Sequence, residues 1–396
     1  MVQRKAKAVI AALIVLSVIF QFFPCYANEN ESYFEALSEK AAETLTYKRG
    51  STGSDVLQYA QNTKRSASEL MNFTDADNLW QGLDLTLPGD LNTAFQRLLT
   101  MARACYMGNS SDIQLRDAVI SALDLICRRY YYKNMEYGDN WWYYEIGIPT
   151  SFSGILLLME NSISSSDAEM YADCINWFCP SADKRRDQFV TETGANRAWK
   201  AQILVNMGIV TKQREKINDG LKACEYLMKD SVTGDGFYED GSFIQHRNVS
   251  YNGAYGRICA IIIADLVYIN SVAGNTYDFT LWKEKLYCWA KNAFLPFIKN
   301  GDFMAMTRGR AIARSYETDH ITGHYVMGFF ARLAEIAEGS DKEYFISTLK
   351  KLLHDDKCGK SFSDGFASSI IEETKNTAAP TAEFADSFKV FGGMDR

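Results

Sequence analysis

The sequence predicts an all-α protein built of helical hairpins. Three observations predict it. Apolar residues recur at helical spacing from end to end, alternating strand patterns are scarce, and the 396 residues include only six prolines, which suits long uninterrupted helices. The clearest amphipathic stretches are 33–45, 91–106, 113–132, 194–207, 211–228, 254–270, 281–297 and 320–337. Turn segments separate them, among them Gly138-Asp139-Asn140, Thr233-Gly234-Asp235-Gly236 and Ala273-Gly274-Asn275. Roughly a dozen helices joined this way should pack as antiparallel hairpins, in an open solenoid or an α/α toroid. Periodicity alone does not choose between the two.

The ends read differently. Residues 1–27 have the form of an export signal: Arg4, Lys5 and Lys7, an apolar run over 8–23, then Cys25-Tyr26-Ala27 with small residues at the cleavage positions. The run is short for a bilayer span, and no later segment is expected to form one, so the processed chain is expected to be secreted and not membrane-inserted. At the other end, 361–369 is polar and glycine-bearing, and 374–381 (TKNTAAPT) reads as a linker. Phe388 to Arg396 (FKVFGGMDR) looks like the start of an extended segment with nothing to pair with.

Removing the signal takes away three positive charges and no acids, moving the net charge from −7 to −10. Nucleic-acid binding depends on broad phosphate neutralisation, so this balance argues against it. An acidic sugar polymer stays possible if positive charge is concentrated in one cleft. Eight cysteines remain (Cys105, Cys127, Cys174, Cys179, Cys224, Cys259, Cys288 and Cys358), with no Cys-x-x-Cys pair. Buried thiols are expected, not a structural zinc site. His320 and His324 have metal-ligand spacing, but no Glu follows His320. Val232 stands where a calcium loop needs an oxygen ligand.

Four polar or aromatic clusters interrupt the helical pattern. Asn140-Trp141-Trp142-Tyr143-Tyr144-Glu145 places four aromatics in succession, which no single helix face can bury. Some of these rings should line a cleft, where flat faces stack on sugars. Thr193-Gly194-Ala195-Asn196-Arg197 stands at a helix start, and a glycine-dense stretch from Gly234 leads through His246 to Tyr255 and Gly256. Arg308, Arg310 and Arg314 concentrate three guanidinium groups in seven residues.

In this order, NWWYYEIGIP, TGANR, GDGFYEDGSFIQH, YNGAYG and RGRAIAR resemble polysaccharide lyase family 8, the hyaluronate, chondroitin and xanthan lyases. The resemblance runs from about residue 30 to the last residue. It implies an incomplete α/α toroid over 28–373, with 374–396 a linker and the start of a β domain, so that the chain reads as truncated before the expected β-sandwich domains. It also implies that Asn196, His246 and Tyr255 form the catalytic group with Arg310 beside them. Trp141 and Trp142, with Asn140 before them, would grip the polymer, and Arg314 and Arg308 would lie near the reacting sugar.

That chemistry is β-elimination at a uronate. The C5 proton is barely acidic while the neighbouring carboxylate is charged, so donors such as the Asn196 amide and His246 must stabilise the developing dianion. Tyr255 is the candidate base and then acid, with His246 as base the competing assignment. An unperturbed phenol ionises near pH ~10, so a nearby cation such as Arg310 is needed. The elimination requires no metal and no organic cofactor; the only partner implied is an acidic polysaccharide substrate, and the chain is expected to be a monomer. Two other readings stand beside it: an inverting glycoside hydrolase using Glu145, Glu239 or Asp240, and a non-catalytic glycan-binding remnant.

Overall fold

The computed structural model describes residues 30–72, 79–108, 112–138, 140–186 and 190–382. The expected export signal and the 388–396 segment lie outside the described residues. Helix α1 covers 30–45. It is followed by α2 (Ser54–Leu70), α3 (Pro88–Met107), α4 (Ile113–Arg129), α5 (Ile148–Leu158), α6 (Ser165–Phe178) and α7 (Gly194–Val210). Then come α8 (Arg214–Glu225), α9 (Arg257–Ile269), α10 (Thr280–Trp289), α11 (Asp319–Ile336), α12 (Gly339–Asp355) and α13 (Gly365–Lys375). Among the described residues, strands are confined to two small antiparallel sheets: β1 (Gly236–Phe237), β2 (Phe243–Gln245) and β3 (Val249–Ser250), and the pair β4 (Ile298–Lys299) and β5 (Asp302–Phe303).

Packing decides for the toroid. Five hairpins, α3–α4, α5–α6, α7–α8, α9–α10 and α11–α12, place their first helices side by side, with α3 on α5, α5 on α7, α7 on α9 and α9 on α11. The circuit then runs from α11 to α13, from α13 to α2 and from α2 back to α3. Helices of the inner layer are apolar nearly all round: α7 and α9 bury residues on every face, whereas the outer α8 buries one stripe, Ile217, Gly220, Leu221, Ala223 and Cys224. Six of the eight cysteines are buried and all are thiols. The turn and helix Asn252–Ile269 is long and apolar enough to cross a membrane, against the expectation of no such later segment. Yet 83% of it is buried inside the ring, so its apolarity is spent on neighbouring helices.

The polar 361–369 stretch hides a helix. The Asp364 side chain caps α13 by accepting from the Ala367 N–H at 3.0 Å. The hydroxyls of Ser368 and Ser369 donate to the carbonyls of Asp364 (2.8 Å) and Gly365 (3.1 Å), so both serines are buried without an unmet polar group. Small residues are needed here, because a Cβ on Gly365 would stand 2.2 Å from the Thr46 carbonyl oxygen. Low apolarity reflects close packing, not a loop.

Since each inner helix is followed by an outer one running back, the inner helices are parallel and all start at the same rim. The four polar or aromatic clusters of the sequence lie there: 140–147 before α5, 193–197 at the start of α7, 234–256 before α9 and 308–314 before α11.

Candidate active site

The β1–β2–β3 hairpin carries His246 over the start of α7. Its underside is fixed by aromatic packing: Phe237 stacks on Trp289 at 3.7 Å between centroids and meets Phe243 edge-on at 4.7 Å. Immediately after β2 the backbone turns through two left-handed non-glycine residues, His246 (φ 54°) and Arg247 (φ 76°). Such conformations cost on the order of 1–3 kcal/mol each and persist where surroundings over-determine them. Asp235 supplies that determination. One carboxylate oxygen accepts from the Arg247 main-chain N–H at 2.8 Å, and the other from the Gln245 amide at 2.8 Å and the Thr193 hydroxyl at 3.2 Å.

Gln245 also accepts from the Ala195 N–H at 3.3 Å. This bond puts Asn196 and His246 on adjacent positions of two contacting segments. Asn196 is half-buried, and its side chain makes no hydrogen bond among the described residues, which leaves its amide available.

Tyr255 sits at the end of a π-helical turn, Asn252–Gly256, that runs into α9. Turns of this kind widen a helix by one residue and re-aim side chains. The Tyr255 ring meets His246 edge-on at 5.4 Å, Tyr251 at 4.9 Å and Trp199 at 6.1 Å. Its hydroxyl accepts from Arg310 Nη2 at 2.9 Å. Thus Tyr255, His246 and Arg310 converge at the rim. Partial burial, then the charge of Arg310, hold the His246 imidazole below the usual histidine range, and Asp235 opposes them. The imidazole is therefore neutral at neutral pH.

A second π-helical turn, Tyr143–Gly147, leads into α5 and sorts the four aromatics. Tyr144 is buried and stacks on Tyr137 at 5.2 Å, while Trp141, Trp142 and Tyr143 are only half-buried. Trp142 meets Trp199 edge-on at 5.7 Å, so rings run from Trp142 through Trp199 to Tyr255 and His246. The guanidinium of Arg185 covers one face of Trp141 at 3.6 Å. Asn140 is exposed and its side chain accepts from the Trp142 N–H at 3.3 Å. Beneath this patch Glu145 and Lys200 form an ion pair at 2.8 Å with both side chains fully buried. Glu145 also accepts from the Tyr137 hydroxyl at 2.8 Å and the Arg186 N–H at 3.1 Å, and Lys200 donates to the Lys184 carbonyl at 2.6 Å.

The three arginines of 308–314 part company. Arg310 is exposed and on Tyr255, whereas Arg308 is 2% exposed. Arg308 is held by the Asp319 carboxylate and the carbonyls of Glu317 and Ala311. Its expected contact with a sugar is corrected: it braces the loop from below. Arg314 is exposed, reaching Glu317 at 3.1 Å, and Glu317 also holds the buried Arg257. The hydrolase reading loses Glu145, whose carboxylate is sealed against Lys200, and Asp240 is engaged by the Ser242 N–H (2.9 Å) and hydroxyl (2.6 Å).

Four residues escaped sequence reasoning: Trp199, Asp235, Tyr251 and Arg185. Trp199 was legible in principle, standing three residues after Asn196 and hence on the same helix face. Asp235 and Tyr251 lay inside the noted strings, but nothing in spacing marks which residue of a loop faces inward.

The comparisons with known proteins agree with this fold. The description "Polysaccharide lyase family 8, N terminal alpha-helical domain" matches residues 40–351. A xanthan lyase of Bacillus sp. strain GL1 is 28% identical over 98% of this chain and 42% of its own length. A hyaluronate lyase of Thermasporomyces composti is 31% identical over 67% of this chain and 34% of its own length. Among solved structures, Paenibacillus xanthan lyase superposes with a TM-score of 0.79 at 26% identity, over 89% of this chain and 34% of that one. The Streptomyces coelicolor A3 chondroitin AC lyase in complex with chondroitin sulphate gives 0.81 at 22% identity, over 88% and 50%. This chain spans less than half the length of those curated relatives.

Proposed function

The chain belongs to polysaccharide lyase family 8, and from that premise we propose that it cleaves a uronate-containing acidic polysaccharide, hyaluronan or chondroitin foremost, by β-elimination. One observation carries the reading: Arg310 donates to the Tyr255 hydroxyl at 2.9 Å with the neutral His246 ring alongside. A guanidinium bonded to the phenol oxygen places fixed positive charge beside the atom that must act as base and then as acid.

In the proposed reaction Asn196 donates its amide N–H to the uronate carboxylate, with His246 assisting, so that charge developing on the carboxylate is met by fixed donors. The Tyr255 phenolate takes the C5 proton. The C5–H electrons become the C4–C5 double bond as the C4–O4 bond breaks, and Tyr255 returns the proton to O4. Trp142 and Trp199 offer a wall for the sugar rings. Thr193, which could cap α7, bonds Asp235 instead, and the positive end of the α7 dipole favours an anionic polymer at the rim. Export is part of the proposal and rests on Arg4, Lys5, Lys7 and the apolar run over 8–23.

The test is ultraviolet absorbance of unsaturated uronate ends released from hyaluronan, chondroitin and xanthan. Absorbance with at least one polymer is the expected result. Reducing ends without it would indicate hydrolysis, and retention of polymer with neither product would indicate a binding remnant.

A further inference from the structure

We propose that Tyr251 is a positioning residue for this reaction: it holds the Arg310 loop where the guanidinium meets Tyr255. The inference rests on the elimination reading above and assigns a task to a side chain outside the catalytic group.

Arg310 is exposed, and its guanidinium makes no hydrogen bond among the described residues except that to Tyr255. A long, mobile side chain is placed by its backbone, and here the backbone is pinned by Tyr251, whose hydroxyl accepts the Arg310 main-chain N–H at 3.0 Å. The Tyr251 ring is 2% exposed and fills the space between the two loops. On one side it meets Tyr255 at 4.9 Å and His246 at 5.9 Å. On the other it presses on Gly309, where an added Cβ would fall 2.2 Å from the ring and where φ is +51°. Only glycine suits that position. Tyr251 is itself fixed, its N–H donating to the Phe243 carbonyl at 2.8 Å and its carbonyl accepting from the Gly256 N–H at 2.9 Å. One ring thus sets the separation between the segment bearing Tyr255 and the loop bearing Arg310.

Tyr251→Phe keeps the ring and deletes the single bond to Arg310. We expect kcat to fall about tenfold, the scale of one hydrogen bond, with KM changed less than twofold. In a double-mutant cycle with Arg310→Ala the losses should not add, because Tyr251 acts through Arg310. Gly309→Ala approaches the same contact from the other side and should lower kcat in the same way. A readout that needs no turnover runs beside these. Exchange of the Arg310 main-chain N–H, whose bond the Tyr251 hydroxyl accepts, should quicken several-fold in Tyr251→Phe. Additive losses in the cycle, or an Arg310 N–H whose exchange is unmoved by Tyr251→Phe, overturn the inference. Absence of unsaturated product from the parent on every polymer defeats the elimination reading instead, and the exchange measurement still decides whether Tyr251 holds the Arg310 loop.

Discussion

At the rim where the inner helices begin, loops and π-helical turns leave Asn196, His246, Tyr255 and Arg310 partly or fully open to solvent. At the rim where they end, α1 lies across the opening. Glu31 pairs with Lys212 just past α7 (3.2 Å), Ser38 donates to Glu160 just past α5 (2.8 Å), and Lys40 donates to Ser271 just past α9 (2.7 Å). Lys48, following α1, reaches Glu335 near the end of α11 (3.1 Å) and Glu373 near the end of α13 (2.9 Å). Five glutamates, Glu31, Glu35, Glu39, Glu43 and Glu160, border a cavity of about 670 Å³ there. The same parallel helices therefore offer an open rim with free donors and a closed rim rich in carboxylates. The proposed function places its anionic polymer at the first. The difference teaches that the two ends of one ring differ in kind: α1 ties the helix ends together at one, and loops present Asn196, His246, Tyr255 and Arg310 at the other.

The sharpest way to break this contrast is Tyr255→Phe. Loss of the proton acceptor should lower kcat by about 10²–10⁴-fold while the melting temperature stays near the parent's, as measured by unsaturated-product release and thermal unfolding. Retained turnover would remove Tyr255 from the chemistry. Next is Lys200→Met, which strands the Glu145 carboxylate in a site where both partners are fully buried. Breaking such a pair costs about 3–5 kcal/mol, read from urea unfolding. A loss under 1 kcal/mol would mean that the open rim does not depend on this buried support. Asn196→Ala should lower kcat about 10²–10³-fold without destabilisation, because the amide supports no hydrogen bond among the described residues.

Much of the fold is legible in the sequence. Periodicity and the family strings point to the hairpin ring, and the motifs mark Asn196, His246 and Tyr255 as candidates. How α13 joins the ring was not legible, since its Gly365 and Ser369 serve close approach to the 46–59 region, which composition cannot express. Nor could spacing separate Arg308 from Arg310. Which guanidinium turns inward is decided by Asp319 and the Glu317 carbonyl, nine to eleven residues further along. Loops are shaped by remote partners, and local sequence carries no trace of them.

A smaller effect is expected from Asp235→Asn. The His246 pKa lies below its usual range because burial and Arg310 outweigh the opposing Asp235 charge. Removing that charge lowers it further. The neutral imidazole then survives to lower pH, and the acid limb of kcat/KM should move to lower pH. A limb that stays, or moves upward, would show that Asp235 acts on His246 only through the backbone.

The smallest effect is expected from Glu35→Gln at the closed rim. Helix α7 has 17 residues and so spans about 25 Å between the rims. The Debye length is ~10 Å at 0.1 M salt, so a charge on α1 is screened before it reaches Tyr255. Glu35 is exposed and its side chain makes no hydrogen bond among the described residues, so stability should stay within about 0.5 kcal/mol. Activity should change by less than about twofold, rising slightly at low ionic strength as repulsion of the polymer weakens and returning to the parent value in salt. A tenfold change that persists in salt would place the polymer in contact with α1, and the division between an open working rim and a closed structural one would be lost.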